Sequence, residues 1–368
     1  MADPQETVLE IDLQALEHNY RYLRARIHPK TNFLAVVKAF AYGSDTLAIA
    51  RKLETLGVDY FAVAYTREGV VLRDHGIKTP ILVLHPQPVN FPQLIARCLE
   101  PSIYSIGILK AFQKAAQAAG QTDYPVHLKF NTGLNRLGFR ENDIERVIRQ
   151  CEESNSIKVL SLFSHLAASD DLHESQFTKA QIESFSAITK ALSERLPHQP
   201  FLHLLNTSGV LNFPEAQYDM VRCGIGLYGY SNNPNVDAEL KPVATLKTVI
   251  SQIHEIGPGE SVGYNRGYKA LDKRTIATLP IGHADGIGRI YGNTSGIVKV
   301  KGRQVPIIGN VCMDMLMIDI TGISCNEGDE VILFGKGHSA EEVAAGAKTI
   351  SYELLTGISQ RVQRNILS

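Results

Sequence analysis

The chain has 368 residues, of which 44% are hydrophobic and 20% charged, and its formal net charge is −1. Its size suggests one large domain plus a smaller one, and the near-zero charge argues against a nucleic-acid or anionic-membrane surface. No apolar stretch approaches the roughly 20 residues that span a bilayer. We therefore predict neither a nucleic-acid nor a membrane partner.

The N-terminus and the cysteines indicate the compartment. The first ten residues, MADPQETVLE, have neither the basic nor the apolar region of a secretory signal. Five cysteines lie far apart without a CxxC pair, which fits a reducing environment better than a disulfide framework. We predict a cytoplasmic protein without a metal site.

The first two thirds of the chain alternate between apolar runs and amphipathic stretches such as Thr46–Leu56 and Glu174–Leu192. Strands that alternate with helices form parallel βαβ units, and eight of them match a (β/α)8 barrel in size. The eight runs are Phe33–Val37, Tyr60–Ala64, Ile81–Leu84, Ile103–Tyr104, Val126–Phe130, Val159–Phe163, Leu202–Leu205 and Met220–Cys223. A doubly wound open sheet is the alternative, because the third and fourth runs are short.

After about residue 240 the pattern changes to short β-branched segments separated by Gly, Pro or Asn, which predicts a mostly-β domain. The predicted strands are Leu246–Ile253, Arg274–Ile281, Gly296–Lys301, Val305–Ile308, Leu316–Ile320 and Glu330–Phe334, followed by a short helix over Thr349–Thr356. We predict a barrel domain over residues 1–240 and a β-rich domain over residues 241–368. A strand over residues 7–13 is expected to pair with the second domain.

Lys38 follows the first apolar run of the barrel pattern. A lysine in such a place must reach water, find a counter-charge or lose its proton, because an isolated buried charge is costly. Lysines with lowered pKa form Schiff bases with carbonyl compounds or with pyridoxal phosphate. The alternative is a partly exposed lysine at the end of a strand.

Polar side chains recur where the later strands end, and the active site of such a barrel lies at those ends. The residues in these positions are Lys38, Lys129, Arg136, His165, Asn206, Thr207 and Arg222. The loops after runs seven and eight, NTSG and RCGIGLYG, carry glycines that let the backbone approach a phosphate. These glycines could instead only relieve strain, but a Schiff-base lysine combined with a phosphate corner predicts pyridoxal phosphate.

The chain resembles the alanine racemase family of fold-type III pyridoxal-phosphate enzymes along its whole length. The motifs that carry the resemblance are AVVKAFAYG, KFNTGLNRLGF, FSHLAASD, LNTSG, MVRCGIGLYG, SVGYNR, GHADGIGR, GNVCMDM and ISYELLTGISQRV. The resemblance implies an isomerase that interconverts L- and D-alanine and supplies D-alanine for peptidoglycan. It also implies a homodimer with shared active sites.

The resemblance also implies a role for each residue at a matching position. Lys38 would bind the cofactor and act as a base on one face of the substrate, and Tyr264 of the partner subunit would act on the other. The residues implied at the cofactor phosphate are Tyr42, Asn206, Thr207, Gly224, Ile225 and Tyr352. Arg222 would contact the pyridine nitrogen, Arg136 the phenolic oxygen and the substrate, and His165 would lie between Tyr264 and Arg222. Met313 and Asp314 would border the substrate, Lys129 would be carbamylated, and the entrance channel would be lined by Asp170, His283 and Arg289.

Several positions depart from the family pattern. Phe40, Ser44 and Asp45 differ from the common KANAYGHG form, and Leu134 replaces a methionine. Asn131 replaces an aspartate near Lys129, Thr207 replaces a serine, Asn265 replaces a glycine beside Tyr264, and His283 replaces a tyrosine at the entrance. The open alternatives are a racemase of broader specificity that accepts serine, a decarboxylase on the same barrel, and a non-catalytic pyridoxal-phosphate carrier.

Overall fold

Eight parallel strands close into a barrel in the computed structural model, which describes residues 6–231 and 233–368. A separate strand, β1 (Val8–Asp12), precedes the barrel. The barrel strands are β2 (Asn32–Val36), β3 (Tyr60–Val63), β4 (Ile81–Val83), β5 (Glu100–Ile103), β6 (Tyr124–Lys129), β7 (Ile157–Phe163), β8 (Phe201–His203) and β9 (Met220–Cys223). Pairing of β9 with β2 closes the ring and excludes the open sheet.

All eight predicted barrel strands are confirmed. They could be recognised because strands that are buried on both faces appear in the sequence as apolar runs. The fourth run was placed too late, since its strand begins at the polar residue Glu100. Residues 1–5, part of the stretch from which the absence of a secretory signal was predicted, and residue 232 lie outside the described residues.

Helices cover the barrel and connect its strands. Their bounds are α1 (Leu13–Arg24), α2 (Lys38–Gly43), α3 (Thr46–Thr55), α4 (Thr66–Asp74), α5 (Phe91–Ala96), α6 (Ile106–Ala118), α7 (Ile144–Glu152), α8 (Ser175–Ser193), α9 (Thr207–Asn212) and α10 (Pro234–Asp237). Side chains at the N-caps begin several of them: Asp12 accepts from two main-chain N–H groups of α1, and Asp45 accepts from Ala48 of α3. Among the described residues, no helix combines the length and apolar composition needed to cross a bilayer.

The last third of the chain forms a mostly-β domain, as predicted. Its elements are β10 (Ala244–Val249), β11 (Gln252–Ile256), β12 (Ser261–Val262), β13 (Tyr268–Lys269), β14 (Arg274–Leu279), β15 (Ile297–Val300), β16 (Arg303–Ile308), β17 (Leu316–Asp319), β18 (Glu330–Phe334), α11 (Ala340–Gly346), α12 (Ser351–Gly357) and β19 (Gln363–Leu367). Within the described residues the main sheet has the order β11-β14-β17-β16-β15-β18-β10-β1-β19. β1 therefore lies between β10 and β19, and the two ends of the chain meet in one sheet.

One predicted strand of this domain was wrong in extent. The segment Leu246–Ile253 spans two strands, because the chain leaves β10, an inner strand between β18 and β1, after Val249 and continues from Gln252 as β11, the edge strand beside β14. β19, α11 and the short β12–β13 pair were not predicted. β19 is rich in polar residues (QRNIL), so its apolar signal is weak.

The turn after β2 has an unusual backbone. Ala39, Phe40, Ala41 and Tyr42 have φ between 52° and 55°, so α2 is a left-handed helical turn made of residues with side chains. This conformation costs roughly 1–2 kcal/mol for each such residue. Two contacts hold the turn: Glu68 accepts the main-chain N–H of Ala39 at 2.6 Å, and Arg364 of β19 donates to the carbonyl of Gly43 at 3.0 Å.

The glycine that ends this turn allows a test of its packing. A Cβ on Gly43 would lie 2.0 Å from the carbonyl oxygen of Leu355 in α12, and φ at this glycine is +79°. Gly57 has a similar φ of +82°, but a Cβ added there would have nothing within 4 Å. We expect Gly57→Ala to cost about 1 kcal/mol, from backbone strain alone, and Gly43→Ala to cost about 1–3 kcal/mol more, from the clash. Thermal unfolding of the two variants measures the difference, and equal melting temperatures would contradict the packing of α12 on the turn.

Candidate active site

A cavity of about 770 Å³ opens at the carboxyl ends of the barrel strands, a volume typical of small-ligand sites. It is lined by eleven of the residues singled out in the sequence: Lys38, Tyr42, Lys129, Arg136, His165, Asn206, Thr207, Arg222, Gly224, Ile225 and Tyr352. They meet because the carboxyl ends of parallel strands point to the same end of the barrel. Ten of them belong to the barrel half of the chain, and Tyr352 comes from α12.

Lys38 stands at the start of the left-handed turn, two residues after the end of β2. The carboxylate of Glu68 accepts main-chain N–H groups on both sides of the cavity rim, from Ala39 at 2.6 Å and from Ala64 at 2.6 Å. This one side chain therefore ties the turn that carries Lys38 to the loop that follows β3. The position of Lys38 is set by this link rather than by the turn alone.

The cavity concentrates positive charge. No Asp or Glu is found among the described residues that line it. Burial, and then the charge of Arg136, lower the pKa of Lys38. Burial, followed by Arg136, Arg222 and Lys38, lowers the pKa of Lys129 to about 8. Both lysines can therefore lose a proton more readily than an exposed lysine.

Arg222 is buried and held by four acceptors. Its guanidinium donates to the carbonyls of Ser164 at 2.7 Å and Leu204 at 2.9 Å. It also contacts Nδ1 of His203 at 2.9 Å and Nδ1 of His165 at 3.2 Å. Burial, and then the charge of Arg222, hold the pKa of both histidines well below the usual value, so both rings are neutral acceptors.

The other end of the cavity suits a phosphate group. Thr207 Oγ1 accepts the main-chain N–H groups of Gly224 at 3.0 Å and Gly226 at 3.4 Å, which joins the loops after β8 and β9. A Cβ on Gly224 would lie 2.3 Å from Tyr42 Oη, so only glycine leaves the tyrosine hydroxyl its place. Tyr42 in turn stacks on Tyr228 with ring centroids 4.4 Å apart. Hydroxyls and backbone N–H groups gathered in this way form an anion-binding concavity, so the residues fit a phosphate-bearing cofactor.

Tyr264, Met313 and Asp314 do not line the Lys38 cavity. They line a second one, of about 760 Å³, on the β domain, and the two cavities share no lining residue. The side chain of Tyr264 is 74% exposed and that of Met313 is 59% exposed. Within one subunit, the structure does not bring the two predicted proton-transfer groups into one site.

The three predicted entrance residues, Asp170, His283 and Arg289, are exposed and line neither cavity. The main chain of His283 donates to the carbonyl of Cys312 at 2.9 Å, which places it beside Met313. Asn131 closes the loop that precedes Arg136, because its Oδ1 accepts the N–H of Asn135 at 2.9 Å. Asn265 adopts φ 57°, a left-handed conformation that asparagine tolerates better than most residues.

The structure adds residues that sequence reasoning missed. His85 and Tyr65 line the Lys38 cavity, and burial followed by the charge of Lys129 lowers the pKa of His85. His85 directly follows the predicted strand Ile81–Leu84, so the rule that selected the other strand-end residues could have found it. Glu68 and His203 had no such signal, because their partners come from distant parts of the chain.

Two family models together match nearly the whole chain. Residues 11–232 match the alanine racemase N-terminal domain, and residues 243–366 match the alanine racemase C-terminal domain. The alanine racemase of Clostridium perfringens is 38% identical over 366 residues, which cover 96% of this chain and 94% of that protein.

Solved structures agree with the sequence comparison. The alanine racemase from D-cycloserine-producing Streptomyces lavendulae superposes with a TM-score of 0.93 at 30% identity, covering 99% of this chain and 98% of that one. The alanine racemase of Bartonella henselae, solved with covalently bound pyridoxal phosphate, has a TM-score of 0.88 at 28% identity and covers 99% of this chain and all of its own. The two domain matches, the similarity to the curated relative and the shared fold agree: the chain belongs to the alanine racemase family.

Proposed function

We propose that this isomerase interconverts L- and D-alanine by a two-base mechanism, with Lys38 of one subunit and Tyr264 of the partner subunit of a homodimer. The observation that carries the proposal is the cationic cavity at the carboxyl ends of the barrel strands, where Lys38 has a lowered pKa beside a phosphate-binding corner. We further propose that the enzyme works in the cytoplasm and supplies D-alanine for peptidoglycan.

Pyridoxal phosphate, when bound, supplies the electron sink that allows the α-hydrogen of an amino acid to leave as a proton. Lys38 would hold the cofactor and, once released by substrate, take or return a proton on one face. Its lowered pKa favours the neutral amine that this role needs. The phosphate would be bound by Tyr42, Asn206, Thr207, Gly224, Ile225 and Tyr352, all of which line the cavity.

The two arginines would orient the cofactor ring. Arg222 would face the pyridine nitrogen, and since a guanidinium can only donate, it leaves that nitrogen as an acceptor. Arg136, also on the cavity wall, would face the phenolic oxygen and the substrate. His165 already contacts Arg222 at 3.2 Å and would extend this contact to Tyr264 of the partner.

The second subunit is needed because Tyr264 lies apart from Lys38. The tyrosine, with Met313 and Asp314, lies exposed on the β domain, where a second copy could present it to the Lys38 cavity. Asp170, His283 and Arg289 would border the channel between the two. A site completed by two copies follows the self-complementary geometry of a twofold dimer.

Mixing two inactive variants tests the shared site. Lys38→Ala and Tyr264→Phe should each lose nearly all racemisation of L-alanine. After subunit exchange, half of the dimers are mixed and each has one intact site, so about one quarter of wild-type activity should return. Chiral analysis of the product measures it, with exchange of the α-hydrogen in deuterium oxide as a second readout. A mixture that stays inactive after subunit exchange would place Lys38 and Tyr264 in the site of one subunit and contradict the shared site, and a Tyr264→Phe variant that stays active would place Tyr264 outside the site.

We propose that Lys129 is carbamylated, and its lowered pKa supports this because only the neutral amine adds to carbon dioxide. With a pKa of about 8, the neutral fraction rises roughly tenfold between pH 7 and pH 9. At constant dissolved carbon dioxide, a carbamate signal in ¹³C NMR should grow over this range. The control Lys129→Arg keeps the positive charge but cannot form the carbamate under these conditions. A signal that is absent, or that persists in the control, would contradict the assignment.

A further inference from the structure

A chain of buried polar side chains crosses the interior of the barrel from one end to the other. It starts at Glu100, the first residue of β5, and ends at Arg222, the third residue of β9. Between them lie His127 on β6, Ser161 on β7 and His203 on β8, so five consecutive strands each contribute one residue. His127, Ser161 and His203 have no solvent exposure.

The hydrogen bonds along this chain are short and continuous. His127 Nε2 lies 2.7 Å from the Glu100 carboxylate, and His127 Nδ1 lies 2.6 Å from Ser161 Oγ. Ser161 Oγ lies 2.9 Å from His203 Nε2, and Arg222 lies 2.9 Å from His203 Nδ1. The neighbouring ring of Phe163 stacks on His203 at 4.7 Å, which limits rotation of the imidazole.

With both imidazoles neutral, the bonds can run in only one direction. Arg222 can only donate, so His203 Nδ1 accepts and His203 Nε2 carries the proton that goes to Ser161. The Ser161 hydroxyl then donates to His127 Nδ1, and His127 Nε2 donates to the Glu100 carboxylate. His127, Ser161 and His203 each donate one hydrogen bond and accept one within this hydrogen-bond chain. The charged residues at its two ends therefore determine the tautomers of both histidines.

The two ends of this hydrogen-bond chain carry opposite charges; Arg73 also lies within electrostatic range of Glu100, whereas no carboxylate hydrogen-bonds to Arg222 among the described residues. Each acceptor that contacts Arg222 in the described part of the chain is neutral: two carbonyls and two imidazoles. A buried cation with only neutral partners is costly. Polarised hydrogen bonds in a low-dielectric interior transmit part of a distant charge, and Glu100 is the carboxylate to which the chain leads.

We propose that Glu100 is a positioning residue for the cofactor site, because the hydrogen-bond chain through His127, Ser161 and His203 orients Arg222 and balances its charge. Glu100 touches neither substrate nor cofactor, and it acts at the opposite end of the barrel. The inference rests on the proposed contact of Arg222 with the pyridine nitrogen. The alternative is that these residues only satisfy one another as a polar part of the core.

A double-mutant cycle between Glu100→Gln and Arg222→Lys separates the two possibilities. Glu100→Gln keeps the size and an acceptor oxygen but removes the charge. The cofactor dissociation constant, from equilibrium dialysis of the holoenzyme, and kcat with KM for L-alanine are the readouts. We expect Glu100→Gln alone to weaken cofactor binding and lower kcat about fivefold, with KM changed less than about twofold, and to have little further effect when Arg222 is already lysine.

Glu54→Gln is the matched control. This carboxylate accepts the main-chain N–H groups of Lys78 and Thr79 and the hydroxyl of Thr79, each at 2.8 Å, and it is not part of the chain to Arg222. It should alter thermal stability without changing cofactor affinity or kcat by more than about twofold. Ser161→Ala interrupts the hydrogen-bond chain in its middle. It replaces Glu100→Gln in the cycle if that variant does not fold, and we expect the same loss of coupling to Arg222.

The outcomes distinguish this inference from the proposed function. If Arg222→Lys alone leaves cofactor affinity unchanged, the placement of Arg222 is wrong and the inference falls with it. If Arg222→Lys weakens binding while Glu100→Gln and Ser161→Ala do not, the inference alone is wrong. Equal effects of Glu100→Gln in both backgrounds would assign Glu100 to the stability of the barrel.

Discussion

Four cationic side chains share one cavity, and most features of the site follow from their burial and mutual repulsion. Lys38, Lys129, Arg136 and Arg222 line it without a carboxylate among the described lining residues. Burial is the largest cause of the lowered pKa of both lysines, and it also strengthens the repulsion because fewer water dipoles screen it. The lysines hold their protons less tightly, and burial also lowers the pKa of Arg222, to about 9. Such a cavity is stabilised by an anionic ligand, and the phosphate corner at Thr207 and Gly224 is where the anion would bind.

Lys38 depends on both halves of the chain for its position. Glu68 of the barrel binds the main chain near the start of the left-handed turn, and Arg364 of β19 binds its last residue. Gly43 also packs directly on α12. Because the turn is strained in isolation, contacts from the two halves must hold it together. The β domain therefore contributes to the Lys38 site within its own subunit, in addition to carrying Tyr264.

The sequence predicted the barrel and most of its cavity for a simple geometric reason. Parallel strands buried on both faces appear as apolar runs, and a polar residue at the end of such a run, or directly after it, lies at the functional end of the barrel. Lys38, Lys129 and Arg222 were found in this way. The same rule could not find Glu68, because its role depends on the main-chain N–H of Ala39, which is distant from it in the sequence.

Tyr264 shows a different limit of sequence reasoning. Nothing in its local pattern distinguishes a rim aromatic from a catalytic group, and only the family resemblance suggested its role. The structure explains why the local pattern is weak, since the side chain is exposed on the β domain and makes no part of the Lys38 cavity. Under the proposed function Tyr264 acts in the partner subunit, so packing within its own subunit does not constrain it.

The position of Glu100 follows from two opposing requirements on Arg222. A buried guanidinium needs negative charge to offset its desolvation. A carboxylate bound directly to it would, however, occupy the N–H groups that are proposed to face the pyridine nitrogen. A carboxylate at the other end of the barrel, joined through two histidines and a serine, balances the charge without occupying the guanidinium. The interior of a barrel suits this solution, because inward-pointing residues of successive strands lie within hydrogen-bonding distance of one another.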